Sequence, residues 1–285
     1  MNLTDGQCQR VTKGEPSLCE PPPRWELMRG NQIGWAWHAH ALRHANNAQR
    51  MGSPCPPYNL PNLIYARTFR SRSMTNRKKG PSKADTELLE AFAGLSLTQI
   101  HVPATQDEFA STSDDIKAAG VAGFDTESKP TFVTGDVSKG PHIVQFAIAQ
   151  GCVNRAFIFQ LHYEECWPFL IELLQSKEVL KVGFGLKSDN SQIQAKLGIR
   201  LGAVLDLDEI FRKDGYNGDM GVRAAVGLAL NQRFHKSKRV TTSNWSLHAL
   251  SSQQLLYAAN DAFAALKVFE ALRLTHPDLL PTISA

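Results

Sequence analysis

Asp125 and Glu127 are the residues of this 285-residue chain whose types and spacing point most directly to chemistry. They close an apolar run, Val121-Ala122-Gly123-Phe124-Asp125-Thr126-Glu127, that reads as a β-strand. Side chains alternate along a strand, so both carboxylates face one side, roughly 6–7 Å apart along the backbone. Like charges that close push one pKa up strongly, whereas a divalent cation between them lets both stay ionised. The pattern predicts the first piece of a metal site. The same three letters recur at Asp85-Thr86-Glu87, but Leu88, Leu89, Ala91, Phe92 and Leu95 follow there at helical spacing. That context predicts a helix over 85–95, with Asp85 as its N-cap and Glu87 as a first-turn acid favoured by the helix dipole.

Two further aspartates lie where they can join the pair. Asp189 follows a buried strand, Leu180–Gly185, at the start of a helix expected over 189–197. Gly183 and Gly185 permit close backbone approach there. Helix capping is the alternative role for Asp189. Asp261 sits among Leu255, Leu256, Ala258, Phe263 and Leu266 in a helix capped by Ser251 or Ser252. An aspartate on so apolar a helix is costly to bury unpaired, which argues for a partner. Tyr257 lies four residues earlier, one turn back on the same helix face.

The elements that must position these residues are legible in outline. A strand is expected near 98–103, a helix over 106–118 and the carboxylate strand over 121–127. Two more strands follow near 143–148 and 156–159, with turn signals at Gly135-Asp136 and Gly151, so the three form an antiparallel meander. An amphipathic helix over 164–175, the strand and helix around Asp189, and a strand near 204–207 come next; the remainder is helical. Three antiparallel strands followed by strand–helix alternation describe an α/β domain with a mixed sheet.

Asp125-x-Glu127, the strand–glycine–Asp189 segment and Tyr257-x-x-x-Asp261 together resemble, in order and context, the DEDDy 3′–5′ exonucleases. The strings GFDTES, LKVGFGLKSD and SNWSLHALSSQQLLYAANDA carry the resemblance over residues 97–273. The branch is that of the Werner-syndrome helicase exonuclease domain and ribonuclease D. The sister DEDDh group has His five positions before its last aspartate; that position here is Leu256, and Tyr257 assigns the tyrosine class. The resemblance implies a ribonuclease H-like fold: a mixed sheet of three antiparallel strands and then parallel ones, flanked by helices. It also implies hydrolysis of phosphodiester bonds from a 3′ end, releasing nucleoside 5′-monophosphates. Two divalent cations would supply the activated water and the charge neutralisation, Mg²⁺ foremost and Mn²⁺ as a substitute. On this reading Asp125 bridges both ions, Glu127 and Asp261 hold the water-activating one, and Asp189 acts on the other. Tyr257 orients the attacking water or accepts its proton. The expected partner is single-stranded or 3′-recessed nucleic acid, DNA or RNA. The alternative is a catalytically silent member of the fold that binds nucleic-acid ends or serves as an adaptor.

Substrate contacts are expected from Thr126 and from the basic strip Arg233–Arg239 with the Asn244-Trp245 pair after it. Lys238 and Arg239 would meet phosphates and Trp245 would stack on an end base. A solvated loop is the other reading of the strip, and His235 and His248 read as surface or capping residues.

Composition is that of a globular chain, with 42% hydrophobic and 20% charged residues. No run of 18 apolar residues and no apolar signal region occur, so neither membrane insertion nor secretion is expected. The five cysteines are odd in number and irregularly spaced, and they read as reduced thiols in a cytoplasmic protein. Charge is uneven: ten bases and no acid lie between Glu26 and Asp85. With Pro21-Pro22-Pro23, Pro54, Pro56-Pro57 and Pro61, this predicts a basic leader over 1–84, without stable order, ahead of a domain over 85–285. Met74 is an alternative start for the natural protein. No helicase domain is expected in the chain. His38, His40 and His44 invite a metal reading but lack a carboxylate or cysteine at ligand spacing.

Overall fold

The computed structural model describes residues 77–131 and 139–281. The histidine cluster, Met74, Gly135-Asp136 and most of the expected leader lie outside them. The first half of the described chain runs through α1 (Lys83–Thr86), β1 (Ile100–His101), α2 (Gln106–Ala119), β2 (Val121–Glu127), β3 (Ile143–Gln150), β4 (Val153–Gln160) and α3 (Trp167–Gln175). The second half adds β5 (Leu180–Gly183), α4 (Leu186–Leu197), β6 (Val204–Asp206), α5 (Leu207–Lys213), α6 (Val222–Leu230), α7 (Lys238–Thr241) and α8 (Ser252–Thr275). All described residues belong to one unit, Tyr58–Ala285.

The strands form one mixed sheet in the order β1-β4-β3-β2-β5-β6. β2, β3 and β4 are the expected antiparallel meander, while β5 runs parallel to β2, β6 to β5 and β1 to β4. β2 is thus the strand where the two pairing modes meet. Its period-2 pattern sends Ala122 and Phe124 into the core beneath α2, α3 and α4, with Phe146, Phe159, Leu170 and Ile193. The opposite face of the meander packs on α8 through Ile143, Ala147, Ile158, Ala258, Ala262 and Phe263. Alanines on the buried side of α8 keep it close to the sheet, and the contact is tightest at Gly123. A Cβ there would lie 1.9 Å from the carbonyl oxygen of Ala262, so no other residue fits without moving the helix.

The expected helix over 85–95 is replaced by a single turn, α1, capped by Ser82, with Asp85 as the third helical residue of a capping box rather than the cap itself. Beyond it the chain turns and then runs without helix to Leu95. Phe92 N–H donates to Arg233 O and Arg233 N–H to Glu90 O, a tertiary pairing that a continuing helix would forgo. Leu88, assigned to that helix's apolar face, is 97% exposed. Asn260 of α8 then holds the segment at both backbone groups of Leu95, accepting from its N–H at 2.6 Å and donating to its carbonyl at 3.3 Å. Gly94 leaves room for that side chain, since a Cβ would come within 2.4 Å of Asn260 Oδ1. The strand expected near 98–103 shortens to two residues behind a 3₁₀ turn. Upstream, Lys78 bridges to Tyr216, so residues 77–84 also touch the domain.

Among the described residues Cys166 is a buried free thiol. No helix of the described residues is long and apolar enough to cross a membrane.

Candidate active site

Two elements bring three carboxylates together. β2 supplies Asp125 and Glu127 on the face turned toward α8, as the alternation predicts. α8, started by the Ser251–Gln254 capping box, supplies Asp261. One oxygen from each of the three lies within 4.8 Å of the others. The close approach at Gly123 is what sets this distance, because Ala262 follows Asp261 directly.

Asp189 reaches the site from the other side of the sheet. It projects from the first turn of α4, which Gly185 rather than Asp189 caps. Thr126 points away from α8 and donates its hydroxyl to Asp189 Oδ1 at 2.5 Å. Thr126, expected among the substrate contacts, is therefore a buried positioning residue that ties Asp189 to β2 between the other two carboxylates. Asp206 accepts from the Gly185 and Leu186 N–H groups and so fixes the start of α4.

The electrostatics are those of crowded acids short of positive charge. Burial first, then the charges of Asp189, Asp261 and Glu127, hold Asp125 well above the usual carboxylate range. Burial and Asp261 push Glu127 up to about 8. Asp189 and Asp261 are raised by burial, opposed for the first by Thr126 and for the second by Lys236. Lys236 is the cation at the site: its Nζ stands 2.6 Å from Asp261 Oδ2 and 5.4 Å from the centre of the Tyr257 ring. Burial alone would lower its pKa, but Asp261 and Asp125 overcome that and hold it above the ordinary lysine range. Tyr257 is raised in turn by burial and by Asp261, and its hydroxyl meets Thr241 Oγ1 at 2.8 Å.

Lys236 and Gln145 are the residues that sequence reasoning missed. Lys236 lies in the basic strip, but nothing in the spacing distinguishes it from Lys238. Gln145 pairs directly with Asp125 across β2 and β3, is fully buried, and has neither amide atom hydrogen-bonded. Two expected contacts fall elsewhere. Trp245 is 1% exposed in the core, its indole donating to Thr241 O, and offers no face to a base. Arg239 is exposed outside the groove that Lys238 and Lys236 line. His235 and His248 are surface residues, as expected.

The residues fit an oxygen-ligated divalent cation. Both Asp261 oxygens are buried with Lys236 beside Oδ2, three carboxylates converge, and the unpaired Gln145 amide suits the waters such an ion retains.

Comparison with known proteins agrees with this geometry. A family model described as 3′-5′ exonuclease matches residues 100–276. The bifunctional 3′-5′ exonuclease/ATP-dependent helicase WRN of Mus musculus is 28% identical over 156 residues, which are 53% of this chain and 11% of that protein. A 3′-5′ exonuclease of Arabidopsis thaliana is 26% identical over 163 residues, 57% of this chain and 56% of that one. The chain thus spans about half or less of the length of these relatives. Among solved structures, the Aedes aegypti Nibbler EXO domain superposes with a TM-score of 0.54 at 24% identity, covering 64% of this chain and 92% of that one. Trypanosoma brucei RNase D in complex with RNA U12 gives 0.54 at 19%, covering 65% and 73%. The fold is therefore the ribonuclease H-like one, and the chain belongs to the 3′-5′ exonuclease domain family.

Proposed function

We propose that this protein is a metal-dependent 3′–5′ exonuclease whose catalytic unit spans residues 85–285. It would remove nucleoside 5′-monophosphates one at a time from a nucleic-acid strand. The observation that carries the reading is the convergence of three carboxylate oxygens, from β2 and α8, within 4.8 Å at a site where Lys236 supplies counter-charge. Asp125, Glu127 and Asp261 would hold two divalent cations, Mg²⁺ or Mn²⁺, with Asp189 joining from α4. Such ions supply an activated water, neutralise the phosphate and stabilise the leaving oxygen when bound. In the reaction a water oxygen bonds to phosphorus, the bond from phosphorus to the preceding 3′-oxygen breaks, and that oxygen takes up a proton. Tyr257, free to turn from Thr241, would orient the attacking water. Lys236 would move from Asp261 to the phosphate as the cations take its place.

The test is a time course on 5′-labelled DNA and RNA oligomers, single-stranded and 3′-recessed. Laddering from the 3′ end with Mg²⁺ or Mn²⁺, abolished by EDTA and reduced on the order of a thousandfold in Asp125→Asn, is the expected result. Activity that persists in EDTA would refute the metal mechanism. Binding without any cleavage would favour an end-binding module instead.

A further inference from the structure

Beside the carboxylates runs a groove of about 1060 Å³ whose floor is the Leu256, Tyr257 and Asn260 face of α8. One wall is the segment 83–94; the other is the strip 233–238. Lys83, Arg223, Arg233, Lys236 and Lys238 line it against a single acid, Glu87. A second cavity, about 420 Å³, has six acids in its lining, Asp125, Asp206 and Asp261 among them, against the three bases Lys187, Arg212 and Lys236. Lys236 borders both, so the two meet at the carboxylates. A polyanion approaching the site is drawn to one side and repelled from the other.

Four of the groove's five bases lie within the matched stretch, and the wall at 83–94 supplies the fifth, Lys83. Residues 83–94 precede the 100–276 stretch that the family model covers. They are nonetheless fixed in place by the pairing of Glu90 and Phe92 with Arg233 and by the Asn260 clamp on Leu95. Arg233 also donates to Glu87 O, which ties the two walls together. Lys83 and Arg223 both line the groove, and their side chains make no hydrogen bond or ion pair among the described residues. Cations held over an open groove with no protein partner are suited to phosphates.

Taking the exonuclease reading as its basis, we infer that this groove binds the single strand on the 5′ side of the scissile phosphate, with Lys83 and Arg223 contacting its backbone. Segment 83–94 is then a substrate-binding wall that lies ahead of the stretch the family model matches. The polymer is recognised by its phosphates, so DNA and RNA are separate arms of the test.

The experiment compares the full chain with the Lys83→Glu/Arg223→Glu double variant and with Lys177→Glu/Arg200→Glu, an equal charge change at exposed positions outside the groove. Binding of fluorescein-labelled 12-mer oligo-dT and oligo-U is read by anisotropy in EDTA, from 50 to 200 mM salt. Each lost contact lowers the salt slope by about 0.7 for a single strand, so the groove variant should lose about 1.4 and bind at least tenfold more weakly at low salt. Equal weakening in both variants, or no change in the groove variant, overturns the proposal. Hydrolysis of thymidine 5′-monophosphate p-nitrophenyl ester with Mn²⁺ separates the two readings, because its leaving group is too short to fill the groove. The groove variant should cleave the ester at the wild-type rate while its KM for the 12-mer rises about tenfold. No cleavage of ester or oligomer by wild type sinks the exonuclease reading instead. A normal ester rate with an unchanged KM sinks the groove alone.

Discussion

Replacing Lys236 with methionine removes the cation that, among the described residues, directly contacts the carboxylate cluster, while keeping much of the side chain's apolar length. At 2.6 Å the attraction between Lys236 and Asp261 is about 6 kcal/mol gross at an effective dielectric of about 20. Breaking such a pair from one side leaves a buried charge behind and typically costs about 3–5 kcal/mol. Asp261 is 3% exposed but Lys236 is 32% exposed, and Asp261 can take up a proton, so the lower end, about 3 kcal/mol, applies. For a unit of this size each kcal/mol moves Tm by about 2–4 °C, so in EDTA the variant should melt roughly 6–12 °C below wild type. Added cation changes the comparison. If Lys236 and Mg²⁺ compete for Asp261, the variant binds Mg²⁺ more tightly, and saturation at about a hundred times Kd returns about 2.7 kcal/mol. The gap should then nearly close. Thermal melts with EDTA and with a Mg²⁺ titration read both quantities, with Lys238→Met as the exposed control. Equal melting in EDTA, or a gap that Mg²⁺ leaves intact, would refute the idea that this lysine occupies the place of a cation.

Three other outcomes are expected. Tyr257→Phe should lower kcat by about a hundredfold with KM little changed, and it should leave the unfolding free energy within about 1 kcal/mol of wild type, since the Thr241 hydrogen bond is what is lost. Gly123→Ala should cost at least about 3 kcal/mol and reduce activity together with stability, because the new methyl displaces Ala262 and with it Asp261. Lys181 is fully buried in β5, donates to Leu173 O and Ser176 O, and is pushed down to about 8 by burial. Between pH 8 and the ordinary lysine value of 10.5 the folded state holds fewer protons than the unfolded one, so this lysine makes stability rise with pH by up to about 1.4 kcal/mol per unit. Urea melts at pH 7.5, 8.5 and 9.5 should show that slope in wild type and lose it in Lys181→Met. Parallel pH dependence in the two proteins would contradict the assignment.

The parts of the site that local rules govern are the parts the amino-acid order reveals. β2 has a clean two-residue period ending in carboxylates, and α8 has a capping box and an apolar stripe, so both elements and the faces of Asp125, Glu127 and Asp261 follow from pattern. Asp189 was ambiguous because a helix-start aspartate usually caps; only the fold shows Gly185 in that position and Thr126 holding the carboxylate. The failures are tertiary. Residues 85–95 have a helical period, yet pairing with Arg233, distant in sequence, and the clamp by Asn260 hold most of them out of a helix. Trp245 carries the chemistry of a stacking platform but is used as core. Lys236 is one of several bases in a strip, and its distance from Asp261 exists only once the loop has closed.

Asn260 and Asp261 are neighbours on one helix and do unlike work: one grips the backbone of the 83–94 wall, the other completes the carboxylate cluster. Adding or deleting one residue in the first turns of α8 would rotate everything beyond it by about 100° and slide it by about 1.5 Å. Such a change would dislodge the wall and the cluster in one event, and no second substitution on either side could restore both. The stretch between Ser252 and Ala262 therefore cannot change its length without losing both.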